Sequence, residues 1–282
     1  MGGLRELEPD AAVAALAPQA ELAAPAARRF AEDGFVYSWS GAPLVAGIDV
    51  DAVDGAVQLY LPFVAPELRR DGDRFRALLG GLGDRWDEAD YVVLRLPAGE
   101  DPSAPGFAPY SRYVSRAARR SSPPAEYEIR PPRQEEHPFV RELLAAAIRY
   151  GYEGSGRDVT PERAHEYVDS AFAELSPEGP ASSLVAVVGG EPIGQGTWLH
   201  ESVDDVDERS FFELVDITVH EDYRGKGAGE AILAAIEAAV APAGGILLGH
   251  VVQERSGRGE AILARLLQAG WQREYDLWLS SS

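Results

Sequence analysis

Hydrophobic and polar positions fall into two successions of short runs, separated near residues 115–133 by a polar, basic and proline-interrupted stretch that includes Arg119-Arg120-Ser121-Ser122-Pro123-Pro124 and Pro131-Pro132. In the second succession, Tyr127–Arg130 alternates as a short strand, and Phe139, Leu143, Leu144, Ala147 and Ile148 recur at helical spacing over Pro138–Tyr150. Thr160-Pro161-Glu162-Arg163 opens a second helix, running to about Leu175, with an N-cap, a first-turn proline and an early acid. Leu184–Val188, the turn Gly189-Gly190 and Glu191–Leu199 predict a hairpin. A strand at Phe211–Val219, a helix at Glu230–Val240, a strand at Gly245–Val252, a helix from about Glu260 to Gln268 and a strand at Tyr275–Leu279 complete it. The first succession predicts strands at Phe35–Trp39, Leu44–Ile48 and Ala56–Leu61, then a helix at Phe75–Leu82 and a strand at Tyr91–Leu96.

Between the strand ending at Val219 and the helix opening near Glu230 lies His220-Glu221-Asp222-Tyr223-Arg224-Gly225-Lys226-Gly227-Ala228-Gly229. A glycine-rich turn running into a helix places unpaired backbone N–H groups and the positive end of a helix dipole at one point. Such a point attracts a phosphate or pyrophosphate, and glycines permit its close approach. The turn has no Gly-Lys-Ser/Thr ending and lacks the Gly-x-Gly-x-x-Gly pattern with a later acid, so neither a P-loop nor a dinucleotide fold is expected.

Arg224-Gly225-Lys226-Gly227-Ala228-Gly229 resembles the pyrophosphate signature of the GNAT acyltransferase superfamily, Arg/Gln-x-x-Gly-x-Gly/Ala, with every defined position filled. The element order β-α-α-β-β-β-α-β-α-β over about 126–282 is similar to that of a GNAT domain. The resemblance implies an α/β (α+β) fold, a mixed, mostly antiparallel twisted sheet flanked by helices, in two tandem copies. On this reading 1–120 is a degenerate GNAT-like domain, 121–133 a linker, and 134–282 the domain that binds acyl-CoA. In the first copy Arg74 stands where the motif wants its last glycine, and Asp71 and Asp73 bring negative charge into the turn, so one cofactor site is expected. The layout is similar to that of mycothiol synthases.

Composition narrows the chemistry. With no cysteine, disulfides, thiolate metal sites and a cysteine nucleophile are excluded, and no metal is expected. A net charge of −20 argues against a nucleic-acid partner and suits a cationic amine. The N-terminus has no basic run or apolar core and no stretch approaches membrane-spanning length, so a cytoplasmic protein, without a membrane partner and acting as a monomer or homodimer, is expected.

The resemblance implies direct acetyl transfer from acetyl-CoA, or transfer from another acyl-CoA, to the amine of a small metabolite. Gly225, Lys226, Gly227, Ala228 and Gly229 would hold the pyrophosphate with Arg224, and the backbone of Ile217, Thr218 and Val219 the pantetheine arm. Glu213, eleven residues before Arg224, matches the catalytic glutamate of histone-acetylating members. Regular alternation places it with Val215, Ile217 and Val219, an apolar setting that raises its pKa; Asp216 on the opposite face is the alternative base. The family's tyrosine acid is replaced by Leu266 and its asparagine by Gly259, with no tyrosine from Arg224 to Trp271; water, Ser256 and His250 are the alternatives for protonating the leaving thiolate. The acceptor pocket draws on Tyr152, Trp198 and His165, with Tyr150, Tyr167, Glu153 and Asp158 nearby. A catalytically silent CoA-binding domain and a peptide N-terminal acetyltransferase are the other readings left open.

Overall fold

The computed structural model describes residues 3–119, 126–173, 179, 181–254 and 256–280. The chain divides into two compact units: Met1–Arg112 with Val203–Arg209 and Glu274–Ser282, and Tyr113–Ser202 with Ser210–Arg273. The last strand of the C-terminal half therefore falls mostly within the first unit, whereas the sequence reading places 134–282 in one domain. The expected linker at 121–133 lies in part outside the described residues.

The first unit runs β1 (Leu4–Glu6), α1 (Pro9–Leu16), α2 (Ala24–Glu32), β2 (Val36–Trp39), β3 (Ala42–Val50), β4 (Val57–Val64), α3 (Pro66–Arg69), α4 (Gly72–Arg85), β5 (Tyr91–Pro97) and the start of β6 (Phe107–Ala117), and is joined by β12 (Gln272–Ser280). Its strands are ordered β1-β2-β3-β4-β5-β12, with only β4 and β5 parallel among the pairs of known register. Leu16, Leu44, Leu59, Leu61, Phe75 and Leu94 are among its core residues. The sequence pattern misses α1 and α2 because their core faces are alanine-rich, with Ala12, Ala26 and Ala27 supplying burial without strong hydrophobicity. It misses β6 because that strand carries Pro109, Ser111, Arg112, Ser115 and Arg116 and reads as polar.

The second unit takes the end of β6, then β7 (Glu128–Arg130), α5 (His137–Gly154), α6 (Pro161–Ala171), β8 (Ala181–Val188), β9 (Glu191–Val203, through Ser202), β10 (Ser210–Val219), α7 (Ala228–Val240), β11 (Ile246–Val252) and α8 (Arg258–Gln268). Strand order is β6-β11-β10-β9-β8-β7, with β10 and β11 parallel, and β8 antiparallel to both β7 and β9. The sequence dictates the boundaries. Thr160 accepts from Arg163 N–H at 3.4 Å and Pro161 follows at the first helical position, where its missing N–H is harmless. Gly189 (φ 61°) and Gly190 (φ 90°) supply the left-handed pair that a two-residue hairpin needs. In α7, Ala228, Ile232, Ile236 and Val240 recur every four residues and form the buried stripe that meets the sheet. The expected end of the second helix, near Leu175, lies outside the described residues; α6 itself stops at Ala171.

Candidate functional site

The alternation of β10 slips by one residue, and this reorganises the expected site. Phe212, Leu214, Ile217 and Val219 all pack into the core around α7. A regular strand would send the first two and the last two to opposite faces, so one extra residue is accommodated between Leu214 and Ile217, as in a β-bulge. Glu213 therefore does not share a face with Ile217 and Val219. It lies on the face away from α7, together with Asp216 and Thr218. The neighbouring strands agree: Gly196 of β9 fits beneath Ile232 and Ile236 of α7, whereas Gln195 turns to the other side and bonds Asp216. Glu201 (φ 56°) breaks the alternation of β9 as well, and Ser202 donates to Glu213 at 3.4 Å.

The β10–β11 ladder runs over Phe212↔Leu247, Glu213↔Leu248 and Leu214↔Gly249, and carries no pair beyond that point. Every residue from Phe211 to Val219 is half-buried. The strands thus separate next to Glu213 and His250. His220 N–H donates to Ile193 O on β9 at 2.8 Å, so alternation turns the backbone of Thr218 toward β9 as well, and that of Ile217 and Val219 toward the open side. Of the three residues expected to bind the arm, Thr218 thus turns its backbone away from the open side. The Val219 carbonyl is taken by Arg224 Nε at 3.1 Å.

Past Val219 the chain makes a single turn of 3-10 helix at Glu221–Tyr223 and enters α7. Gly225 (φ 74°) and Gly227 (φ 89°) hold left-handed conformations with nothing within 4 Å of an added Cβ. Backbone conformation, not crowding, is what demands glycine there. Gly229 has an ordinary φ, and a Cβ would meet Ile217 at a comfortable 3.8 Å. The first bond into α7 is Ala231 N–H to Gly227 O, 3.0 Å, which leaves the amides of Gly227, Ala228 and Gly229 without an intrahelical partner. Arg224 and Lys226 are exposed beside them, the Lys226 ammonium 5.4 Å above the Tyr223 ring. These amides, with two exposed cations beside them, fit a diphosphate.

Burial sets the protonation of the face. Glu213 is pushed above the usual carboxylate range by desolvation, and Ser202 opposes this weakly. Asp216 rises from 3.8 to about 6, again by desolvation, against hydrogen bonds from Thr218, Ile217 N–H and Gln195. A buried polar chain supports it: Ser183 and Thr197 hydroxyls meet at 2.6 Å, Thr197 donates to Gln195 Oε1 at 2.8 Å, and Gln195 Nε2 donates to Asp216 at 2.9 Å. Gln195 and Thr197 are fully buried, so the chain fixes Asp216 rather than admitting solvent to it.

His250 shares this face, because Leu247 lies in the α7 core and Val252 meets Gly151 of α5. Desolvation lowers its pKa. The His250 ring lies 5.4 Å from that of Tyr113 on β6, at an interplanar angle of 33°. Sequence reasoning overlooks Tyr113, which precedes the polar stretch; only strand pairing brings it here. Leu266 packs into the α7 core. A Cβ at Gly259 would stand 2.2 Å from Val252 O, so no asparagine fits, and Glu254 accepts from Gly259 N–H at 3.1 Å instead. Ser256 Oγ accepts from Arg258 N–H at 3.4 Å.

The acceptor residues named from sequence do not converge. Trp198 is 5% exposed within the α7 core, on the face opposite Glu213. His165 joins α6 to α5 through Glu142 (2.8 Å), which raises its pKa. Tyr152 lies under the Arg157 guanidinium, 4.4 Å from its ring centre.

The first unit repeats the succession of three antiparallel-linked strands, helix and parallel strand, ending its β4–β5 ladder at Leu61↔Leu94. There the helix entry is closed by its own carboxylate: Asp71 accepts from Asp73 N–H (3.2 Å) and Arg74 N–H (3.1 Å). An anion would compete with that charge for the same amides. Arg69 donates to Val64 O at 2.8 Å, five residues back, as Arg224 does to Val219.

Residues 151–258 match the Acetyltransferase (GNAT) family. Over that segment the chain resembles a GNAT domain. In fold it is similar to a GCN5-related N-acetyltransferase from Sphaerobacter thermophilus, 17% identical, with 99% of this chain and 95% of that one covered and a TM-score of 0.55. It is similar also to a tandem GNAT protein from the clavulanic acid biosynthesis pathway, 15% identical, covering 99% and 98%, with a TM-score of 0.53. No curated protein matches the sequence. The turn Arg224–Gly229 and the carboxylate of Glu213 both fall inside the GNAT segment, whereas Tyr113 falls outside it. Among the described residues no helix is long and apolar enough to cross a membrane.

Proposed function

We propose that this chain is an acyl-CoA-dependent N-acyltransferase that moves an acetyl group to the amine of a small metabolite. The observation that carries this is the parting of β10 from β11 immediately beyond Glu213, on the strand that leads to the bare amides of 227–229. The amides and Arg224 hold the diphosphate, and the Ile217 carbonyl and Val219 N–H on the open side of β10 take the pantetheine arm as a pseudo-strand. The bound thioester supplies an activated acyl carbon. Glu213 removes the proton from the incoming ammonium, directly or through water, and its raised pKa brings it nearer the working pH. The acid surface of the chain favours a cationic acceptor.

Calorimetric titration with CoA, followed by thiol release from acetyl-CoA with a panel of amines, tests the proposal. No heat with CoA overturns it. One observation favours a second reading, a silent CoA-binding domain: α8 presents Leu266 and Gly259 in place of the polar residues of the family. CoA binding with no thiol release from any acceptor selects that reading.

A further inference from the structure

We infer that the Tyr113 hydroxyl supplies the proton for the departing thiolate, so that the acid comes from β6 and not from α8. The inference rests on the acyl-transfer reading above. Val114 packs into the α7 core, which puts Tyr113 on the opposite face, shared with His250 of β11 and with Glu213 and Asp216 of β10. Its ring lies against that of His250, 5.4 Å between centroids, and His250 follows the last paired residue of β11, Gly249. β6 thus lies one strand spacing, about 4.8 Å, from the strand that borders the gap, a span that a tyrosine side chain can cover. Ser115 flanks it on the same face of β6, and is buried.

Chemistry favours a phenol over the imidazole beside it. An acid must hold its proton at neutral pH and release it to a sulfur whose own pKa is about 8.5 or somewhat higher; phenols near 10 do so, and imidazoles near 6.5 are already mostly deprotonated. Desolvation lowers His250 further. In the step, the amine nitrogen bonds to the acyl carbon and the carbon–sulfur bond breaks with its electron pair on sulfur. Glu213 passes the first proton of the ammonium to solvent before the attack and takes the second as nitrogen bonds to carbon, and the Tyr113 O–H gives its proton to sulfur. Solvent then carries a proton from Glu213 back to the tyrosinate, so amine and thioester become amide and thiol with no further reactant.

Tyr113→Phe removes the hydroxyl and keeps the ring. Two readouts are compared with the unaltered protein: kcat against pH, and the calorimetric Kd for CoA against an analogue lacking the sulfur. The expected result is a fall in kcat of about 10²-fold with KM little changed, loss of the alkaline fall in rate, and loss of any preference for CoA over the sulfur-free analogue. His250→Gln is expected to cost much less. Equal rates and pH profiles in Tyr113→Phe overturn the inference while leaving the acyltransferase reading intact. A slower variant with an unchanged profile and preference also overturns it, since that marks a packing role. If the unaltered protein neither binds CoA nor releases thiol, both readings fall.

Discussion

Asp216 makes the stability of the protein depend on pH in a direction opposite to that of most carboxylates. Its folded pKa of about 6 lies above the ordinary 3.8, chiefly through desolvation. Below pH 3.8 the carboxyl is neutral in both states and contributes no penalty; as pH rises to about 6 the unfolded chain ionises first and the folded state loses stability. The full displacement corresponds to about 3 kcal/mol, and the partial exposure of β10 reduces this to about 1–2 kcal/mol. Asp216→Asn keeps an acceptor for Gln195 and Thr218 but cannot ionise. Urea unfolding of both proteins from pH 4 to pH 7 is expected to show the variant gaining about 1–2 kcal/mol on the wild type across that interval, whatever its offset at pH 4. The difference between the two removes every other titrating group from the comparison. A difference that stays flat with pH refutes the assignment of a buried, proton-holding carboxyl to the face beyond β9.

Other substitutions test the turn, Glu213 and α8 separately. Glu213→Gln is expected to lower kcat by roughly 10²-fold or more, and in the wild type the rate should climb with pH through the raised pKa of that carboxyl. Ser202→Ala removes the hydrogen bond that holds the Glu213 pKa down, so the same climb moves to higher pH in a kcat/KM profile. Gly227→Ala forces alanine to φ 89° at a cost of about 1–2 kcal/mol and should weaken CoA binding by calorimetry, whereas Gly229→Ala, with room for its methyl, should bind nearly as the wild type does. Gly259→Asn restores the family residue type against Val252 O and should lower Tm by several degrees without raising activity.

The anion turn, the hairpin and the helices flanking them were legible because each has a local cause: Gly227 must be left-handed, Thr160 must cap, Ile232 and Ile236 must face inward. The place of Glu213 on a strand was likewise legible, from the apolar run around it. Its neighbours on the sheet were not, because one extra residue in β10 reverses every later side chain and no residue type announces it. Trp198 was read as a pocket aromatic, and only the pairing of β9 with β8, which fixes Trp198 opposite Ser182, shows that it faces the core. Tyr113 lies on a strand whose Ser and Arg content hides it, and its meeting with His250 is a fact of tertiary structure alone.

Arg224 and Arg69 each reach back to the carbonyl that ends the preceding strand, yet only the first stands beside amides open to an anion. The second stays clasped although its neighbouring helix entrance is already stoppered by Asp71. Fastening and charge are consequently separable duties of one guanidinium, and a lysine at 224 would retain the charge while dropping the clasp. Reopening the entrance beside Arg69, by contrast, would begin with Asp71, whose carboxylate occupies its amides, with the clasp at Arg69 already in place.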